Sequence, residues 1–398
     1  MKSVRLLRSV GIPWFLAFLA LCCPAQQPAA ESQRQSALEL EQQGNLSAAE
    51  AAWRSILARL PNDAEAYAHL GLLEARQDHY NEAIPYYRKA LSINPNMPAL
   101  RLDLGLSLFK SGDLHGAIQA FVPALKAEPA SSPESARLAT LIGLAHYGLG
   151  EYAAAVPYLK RAAAADPANL PLRMTLAQSC MSAKQYQCVL DTYREILVIN
   201  PNSAEADVLA GEAYDEMKNE AGALEQFQAA VKADPKLPNV HFGYGYLLWK
   251  AQKLDAAAEQ FRAELANNPD SALALTYLAD SQIKLDRPQQ AQEYLERAAR
   301  IDPSIALAHL DLGIVYGNQG KKDEALRELK IAEKLEPRES TIHWQLGRLY
   351  QSMGQKAEAK AEFEKTRNLQ NATQQSLREK MHQAQTTPAN ASSGTGEK

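Results

Sequence analysis

The chain has 398 residues and a formal net charge of −4, and it is 46% hydrophobic, 22% charged and 7% aromatic. Ala, Leu, Glu, Gln and Lys dominate, as helices require, while runs of Val, Ile and Thr that would build strands are missing. No cluster of Lys or Arg supplies the basic footprint that nucleic acid or an anionic bilayer demands, so both are set aside as partners.

The first residues divide into a basic part with Lys2, Arg5 and Arg8, an apolar part over 10–22 with Trp14, Phe15 and Phe18, and a small-residue part ending at Pro24 and Ala25. This pattern predicts a secretory signal peptide over 1–25, cleaved after Ala25. The apolar part is about 13 residues, short of the roughly 20 that span a bilayer as a helix. Cys22 follows Leu19, Ala20 and Leu21, which leaves a lipidated form as an alternative, although Leu21 is large where such a motif takes a small residue. The expected location is periplasmic or secreted, with no integral membrane segment after signal removal.

Beyond the leader, prolines mark a ruler: Pro61, Pro95, Pro129, Pro167, Pro201, Pro235, Pro269, Pro303 and Pro337, spaced by 34 residues except for one interval of 38. With the ruler proline at position 32 of each unit, position 8 is Gly or Ala in every unit, from Ala37 and Gly71 to Gly313 and Gly347. Position 20 is Ala in all units except at Val189, and position 24 is always large, as in Trp53, Tyr87, Phe121, Phe227 and Phe261. Small residues at 8 and 20 let two antiparallel helices approach, and the large residue at 24 fills the space between stacked units. Gly44, Gly112, Gly150, Gly320 and Gly354 stand at position 15, in the turn between helices, where a left-handed backbone is useful.

A 34-residue helix-turn-helix period with this pattern resembles the tetratricopeptide repeat, and the resemblance covers nearly all of 26–371. It implies an all-α fold, a right-handed superhelical solenoid of about ten antiparallel helix pairs. The repeats are 30–63, 64–97, 98–131, 136–169, 170–203, 204–237, 238–271, 272–305, 306–339 and 340–371. A polar capping helix is expected over 372–385 and a disordered tail over 386–398. The long interval reads as a larger surface loop over 130–135, with a hinge between three repeats and seven as the alternative.

Tempting catalytic motifs dissolve in this register. The 317–322 segment has two residues between Gly317 and Gly320 where a phosphate loop needs four, and Gly243 and Gly245 lack the third glycine of a dinucleotide motif. His241, His309 and His343 share position 4, have no acid at ligand spacing in sequence, and read as helix-interface residues. Cys180 and Cys188 fall at positions 11 and 19, whereas pairing around the 8-to-20 contact sets Tyr186 opposite position 11, so free, partly buried thiols are expected. No catalytic residue, cofactor or metal is assigned.

In the resembled family the first helix of each repeat lines a concave groove through positions 2, 5, 6, 9, 12 and 13. Carried onto this sequence, those positions give Leu102, Leu106 and Phe109 in repeat three, Leu144 and Tyr147 in repeat four, Phe242, Tyr246 and Trp249 in repeat seven, and Tyr277 and Ile283 in repeat eight. Glu205, Glu212, Asp215 and Glu216 of repeat six add an acidic stripe. Such a groove suits a protein or peptide segment with apolar anchors and a basic residue or two. The function expected is a non-catalytic adaptor of the bacterial envelope, the alternative a regulatory or recruiting subunit of an envelope enzyme or polysaccharide-export complex.

Overall fold

The computed structural model describes residues 27–386 apart from 289. The leader, its cleavage or lipidation at 22–25, and the tail beyond 386 lie outside the described residues. Two compact units divide between Ala165 and Asp166.

The first unit holds α1 (Gln27–Gln42), α2 (Leu46–Arg59), α3 (Ala64–Arg76), α4 (Tyr80–Ile93), α5 (Pro98–Ser111), α6 (Leu114–Ala127), α7 (Pro133–Gly148) and α8 (Tyr152–Ala165). The second begins with α9 (Leu170–Ser182), α10 (Tyr186–Ile199), α11 (Ala204–Glu216), α12 (Glu220–Ala233), α13 (Val240–Lys250) and α14 (Leu254–Asn267). It continues with α15 (Ala272–Lys284), α16 (Ala291–Ile301), α17 (Ala306–Asn318), α18 (Lys322–Leu335), α19 (Ser340–Ser352) and α20 (Lys356–Thr386). Each odd helix packs on the even helix that follows, giving all-α antiparallel pairs, one pair per repeat. Among the described residues no helix is long and apolar enough to cross a membrane.

Local chemistry sets the boundaries. Side chains of Asn45, Asp63, Asp113, Asn169, Ser203, Asn219 and Ser271 accept hydrogen bonds from the backbone three residues on, satisfying a donor that a helix start leaves bare. Between paired helices, position 15 is left-handed in all ten repeats. The five glycines have φ from 73° to 89°, and Asp78, Lys184, Lys218, Gln252 and Asp286 hold φ from 57° to 62°. The turn geometry therefore belongs to the repeat, and half of the repeats adopt it without the residue that tolerates it best.

The bare position 8 is explained by what lies on it. A Cβ built on Gly105 would stand 2.4 Å from the Phe121 ring, on Gly211 2.6 Å from Phe227, and on Gly313 2.5 Å from Leu329. Position 24 thus presses on position 8 of its own repeat, as well as packing toward the next, where Phe121 joins Leu138 and Ile142 in one core cluster. The position-20 backbone closes the crossing, with the Ala325 carbonyl 3.3 Å from that point on Gly313.

Three expectations are corrected. The extra residues before repeat four lengthen mainly a helix: 130–132 stay in the connection, α7 starts at Pro133, capped by Ser132, and Arg161 ties Ala130 and Ser135 down. The division of the chain into compact units falls one repeat later, between Ala165 and Asp166. The capping helix at 372–385 is not separate, because α20 runs unbroken for 31 residues with no glycine or proline to end it at Asn371. Cys180 and Cys188 are joined by a disulfide, their Cα atoms 5.8 Å apart. The three-residue turn from Ser182 to Tyr186 brings the last turn of α9 beside the first turn of α10, close enough for a bridge that strict antiparallel counting places out of register.

Candidate peptide groove

Repeat seven departs from its neighbours at its start. Pro238 and a left-handed Asn239, φ 63°, delay α13 until Val240, leaving it 11 residues long where α11 and α15 have 13. The shortened entry borders a cavity of about 700 Å³. Leu237, Pro238, Asn239 and Val240 line one side, Met174 and Gln178 of α9 another, and Glu205, Val208, Leu209, Glu212 and Asp215 of α11 a third. Phe242, Gly243, Tyr246 and Leu247 close it from α13. Gly243 is bare because Phe227 of the previous repeat presses on it, with a built Cβ only 2.4 Å from that ring. A volume of this size, apolar with a few acids, matches what concave binding sites offer.

The acidic stripe divides by partner. Asp215 is held by Lys250, whose Nζ lies 2.6 Å from Oδ1, and Glu216 accepts from the Tyr186 hydroxyl at 3.3 Å. Among the described residues no hydrogen bond or ion pair holds Glu205 or Glu212. Glu212 is exposed within the concavity, yet the protein around it disfavours its charged form and raises its pKa. These two carboxylates are the ones free to meet a cation.

Phe242, Tyr246 and Trp249 share one face of α13 and are half-buried. They meet one another and Tyr277 of α15. Tyr246 and Trp249 lie nearly parallel at 5.8 Å and 18°, and Tyr277 stands edge-on to both, at 5.4 Å and 5.0 Å. Phe242 connects this wall to the core at Phe261, 5.9 Å away. Lys250 sits over Tyr246 and Lys284 over Trp249, the latter 4.1 Å from the ring centre. Ile283 packs instead on the core between repeats eight and nine.

In the first unit, Leu102, Leu106 and Phe109 pack partly buried on the cluster around Phe121 and Leu138. Leu144 is half-buried, and Tyr147 stands edge-on to Tyr152 at 5.6 Å. These five residues are thus found in local packing, and the cavity draws its lining from the second unit alone. Residues the sequence reading passed over, Met174, Gln178 and Val208 among them, occupy positions 5 and 9 of repeats five and six, so reading those positions in every repeat would have found them.

The position-4 histidines are interface residues, as expected, and two of them meet acids that stand far from them in sequence. His309 and His343 each contact the previous ruler proline's carbonyl through Nε2, at 3.1 Å and 2.9 Å, and Glu328 or Glu362 through Nδ1, at 2.7 Å. The acids are 19 residues away in sequence and adjacent only across the helix pair. At His343 a third group, Glu333, brings three ligand-type atoms within 4.8 Å of one another. Lys365 bridges both carboxylates and Lys330 pairs Glu333, so protein cations already balance the cluster as a tether between repeats.

The tetratricopeptide repeat family matches residues 34–98, 102–169 and 242–306, and a second form of the same repeat matches 340–365. The chain belongs to the tetratricopeptide repeat family. It is 24% identical over 278 residues to the protein CTR9 homolog of Arabidopsis thaliana, covering 68% of this chain and 25% of that protein. It is also 24% identical over 217 residues to the BBSome complex member BBS4 of Bos taurus, covering 54% and 41% respectively. The chain therefore spans well under half the length of either relative. Among solved structures, a tetratricopeptide repeat protein from Parabacteroides merdae shares 20% identity with a TM-score of 0.45, over 63% of this chain and 98% of that one.

Proposed function

We propose that this repeat protein is an exported, non-catalytic adaptor that holds an extended or helical segment of a protein partner in the groove of repeats five to eight. The observation that carries this reading is the 700 Å³ cavity, where an apolar and aromatic lining adjoins Glu205 and Glu212, two carboxylates without protein cations. Apolar anchors on the segment would fill the space, and a basic residue would answer the carboxylates. The basic and apolar leader, together with the Cys180–Cys188 bridge, supports export to an oxidising compartment.

The test is affinity capture from a bacterial envelope extract, followed by titration of the captured partner. Replacing Tyr246 and Trp249 together by Ala should weaken binding by at least about 2 kcal/mol, the scale of an interface hot spot, measured beside thermal unfolding because Trp249 also donates to the buried Asp280. Because Lys250 already neutralises Asp215, the charge test belongs on Glu205→Lys with Glu212→Lys, which should slow association and reduce its salt sensitivity. Phe261→Ala, in the core beneath the groove, should cost roughly 3 to 5 kcal/mol of stability whether or not a partner is present. A partner that tolerates both double substitutions would move the site off this face.

A further inference from the structure

One histidine of the second unit is caught between two acceptors. His309, at position 4 of repeat nine, is 5% exposed. Its Nδ1 lies 2.7 Å from Glu328 Oε2 on α18, and its Nε2 lies 3.1 Å from the carbonyl oxygen of Pro303, in the break before α17. A carbonyl and a carboxylate only accept, and a neutral imidazole carries a single N–H. Both contacts are therefore hydrogen bonds only when the ring is an imidazolium.

Other repeats place different groups around the same ring. His241 in repeat seven has the amide oxygen of Gln260 at 2.8 Å, so no charge faces it there. His343 in repeat ten does face Glu362, but Lys365 lies 2.9 Å from the other oxygen of that carboxylate and supplies a cation. Glu328 has no Lys or Arg partner among the described residues, which leaves His309 as its cation. No hydrogen bond or ion pair reaches the ring from Asp311 on its own helix, or from α15, α16 or α19. The pKa of His309 is raised above the ordinary 6.5, first by the bond to Glu328 and further by Pro303, with burial opposing.

The position of the ring gives its proton a structural task. Ala308, the residue before it, belongs to the apolar cluster that Leu275 and Leu295 of repeat eight form with Leu312 and Val315 of repeat nine. His309 thus joins the break that ends repeat eight to both helices of repeat nine.

We propose that His309 is a pH-dependent clasp: protonated, it ties repeat nine to the end of repeat eight, and loss of its proton as pH rises loosens that seam. A group that holds its proton more tightly in the folded chain contributes fully below the unfolded value, and the contribution fades as pH rises through the folded one. Deprotonation leaves one N–H for two acceptors, so either the Pro303 carbonyl or the Glu328 carboxylate then faces a ring lone pair.

The test follows the proton and the seam separately. The full chain, carrying nitrogen-15 in histidine, is titrated by NMR, with His309 assigned by the loss of its signals in His309→Gln. Its midpoint should lie above 6.5 and should fall by about one unit or more in Glu328→Gln, a tenfold change in proton affinity. Hydrogen exchange, corrected for the intrinsic rate, should show protection of α17 dropping about tenfold relative to α11 between roughly pH 6 and pH 9, and Glu328→Gln should abolish that drop. A midpoint at or below 6.5, or the same pH dependence of α17 in the native chain and in Glu328→Gln, would overturn the clasp. The exchange comparison stands without His309→Gln, so failure of that variant to fold leaves the proposal open to refutation.

Discussion

Two buried acids show how differently this fold treats the same chemical group. Glu41, at 7% exposure in repeat one, accepts from the Trp53 indole at 2.6 Å, lies 2.9 Å from His69 Nδ1, and has Arg76 4.0 Å from its other oxygen. Asp311, at 3% in repeat nine, has an oxygen with no hydrogen-bond partner. The stacked helices can evidently enclose a carboxylate and satisfy it. Where they do so, the acid knits two repeats together, with Trp53 and His69 stacked 4.4 Å apart around it.

The largest effect expected from this contrast is at the satisfied acid. Glu41→Ala strands the buried indole N–H of Trp53 and removes the acid beside His69, so thermal unfolding should report a loss of about 3 kcal/mol. A loss below about 1 kcal/mol would mean that Glu41 is as dispensable as Asp311, and the contrast would fail.

At Asp311 the sign should reverse. Burial and Asp280 raise its folded pKa well above the ordinary 3.8, so the native state holds a proton that the unfolded chain gives up. Stability from this group therefore declines as pH rises from the ordinary value toward the raised one. Asp311→Asn removes that decline and should stabilise the protein by about 1 kcal/mol near neutral pH, with the gain shrinking toward pH 4. Melting curves across that range check both the direction and the slope, and a destabilised variant at neutral pH would show that the carboxylate is internally satisfied.

The smallest effect sharpens the same comparison in the backbone. Gly112 makes the left-handed turn of repeat three without a side chain, whereas Lys218 makes it in repeat six at φ 62°. Lys218→Gly should be neutral or stabilising by a few tenths of a kcal/mol, because relief of the left-handed conformation is offset by the freer unfolded chain. Gly112→Lys should lose stability by about 1 kcal/mol, and equal behaviour of the two would show that the turn stores no strain.

Much of this protein could be read from its residues. The 34-residue ruler, the small residues at 8 and 20 and the large residue at 24 determined the helix pairs, because a short-range repeat must solve the same packing problem each time. The face shared by Phe242, Tyr246 and Trp249 followed from helical spacing alone. Contacts between repeats were decided elsewhere. The Cys180–Cys188 bridge depended on how near the ends of two paired helices came, and the cavity on a two-residue delay at Pro238 and Asn239. Glu362 and His343 are 19 residues apart in sequence and 2.7 Å apart in space. Sequence period fixes which face of a helix is apolar, but the distance between two polar tips on different helices is set by packing, and only the tertiary structure contains it.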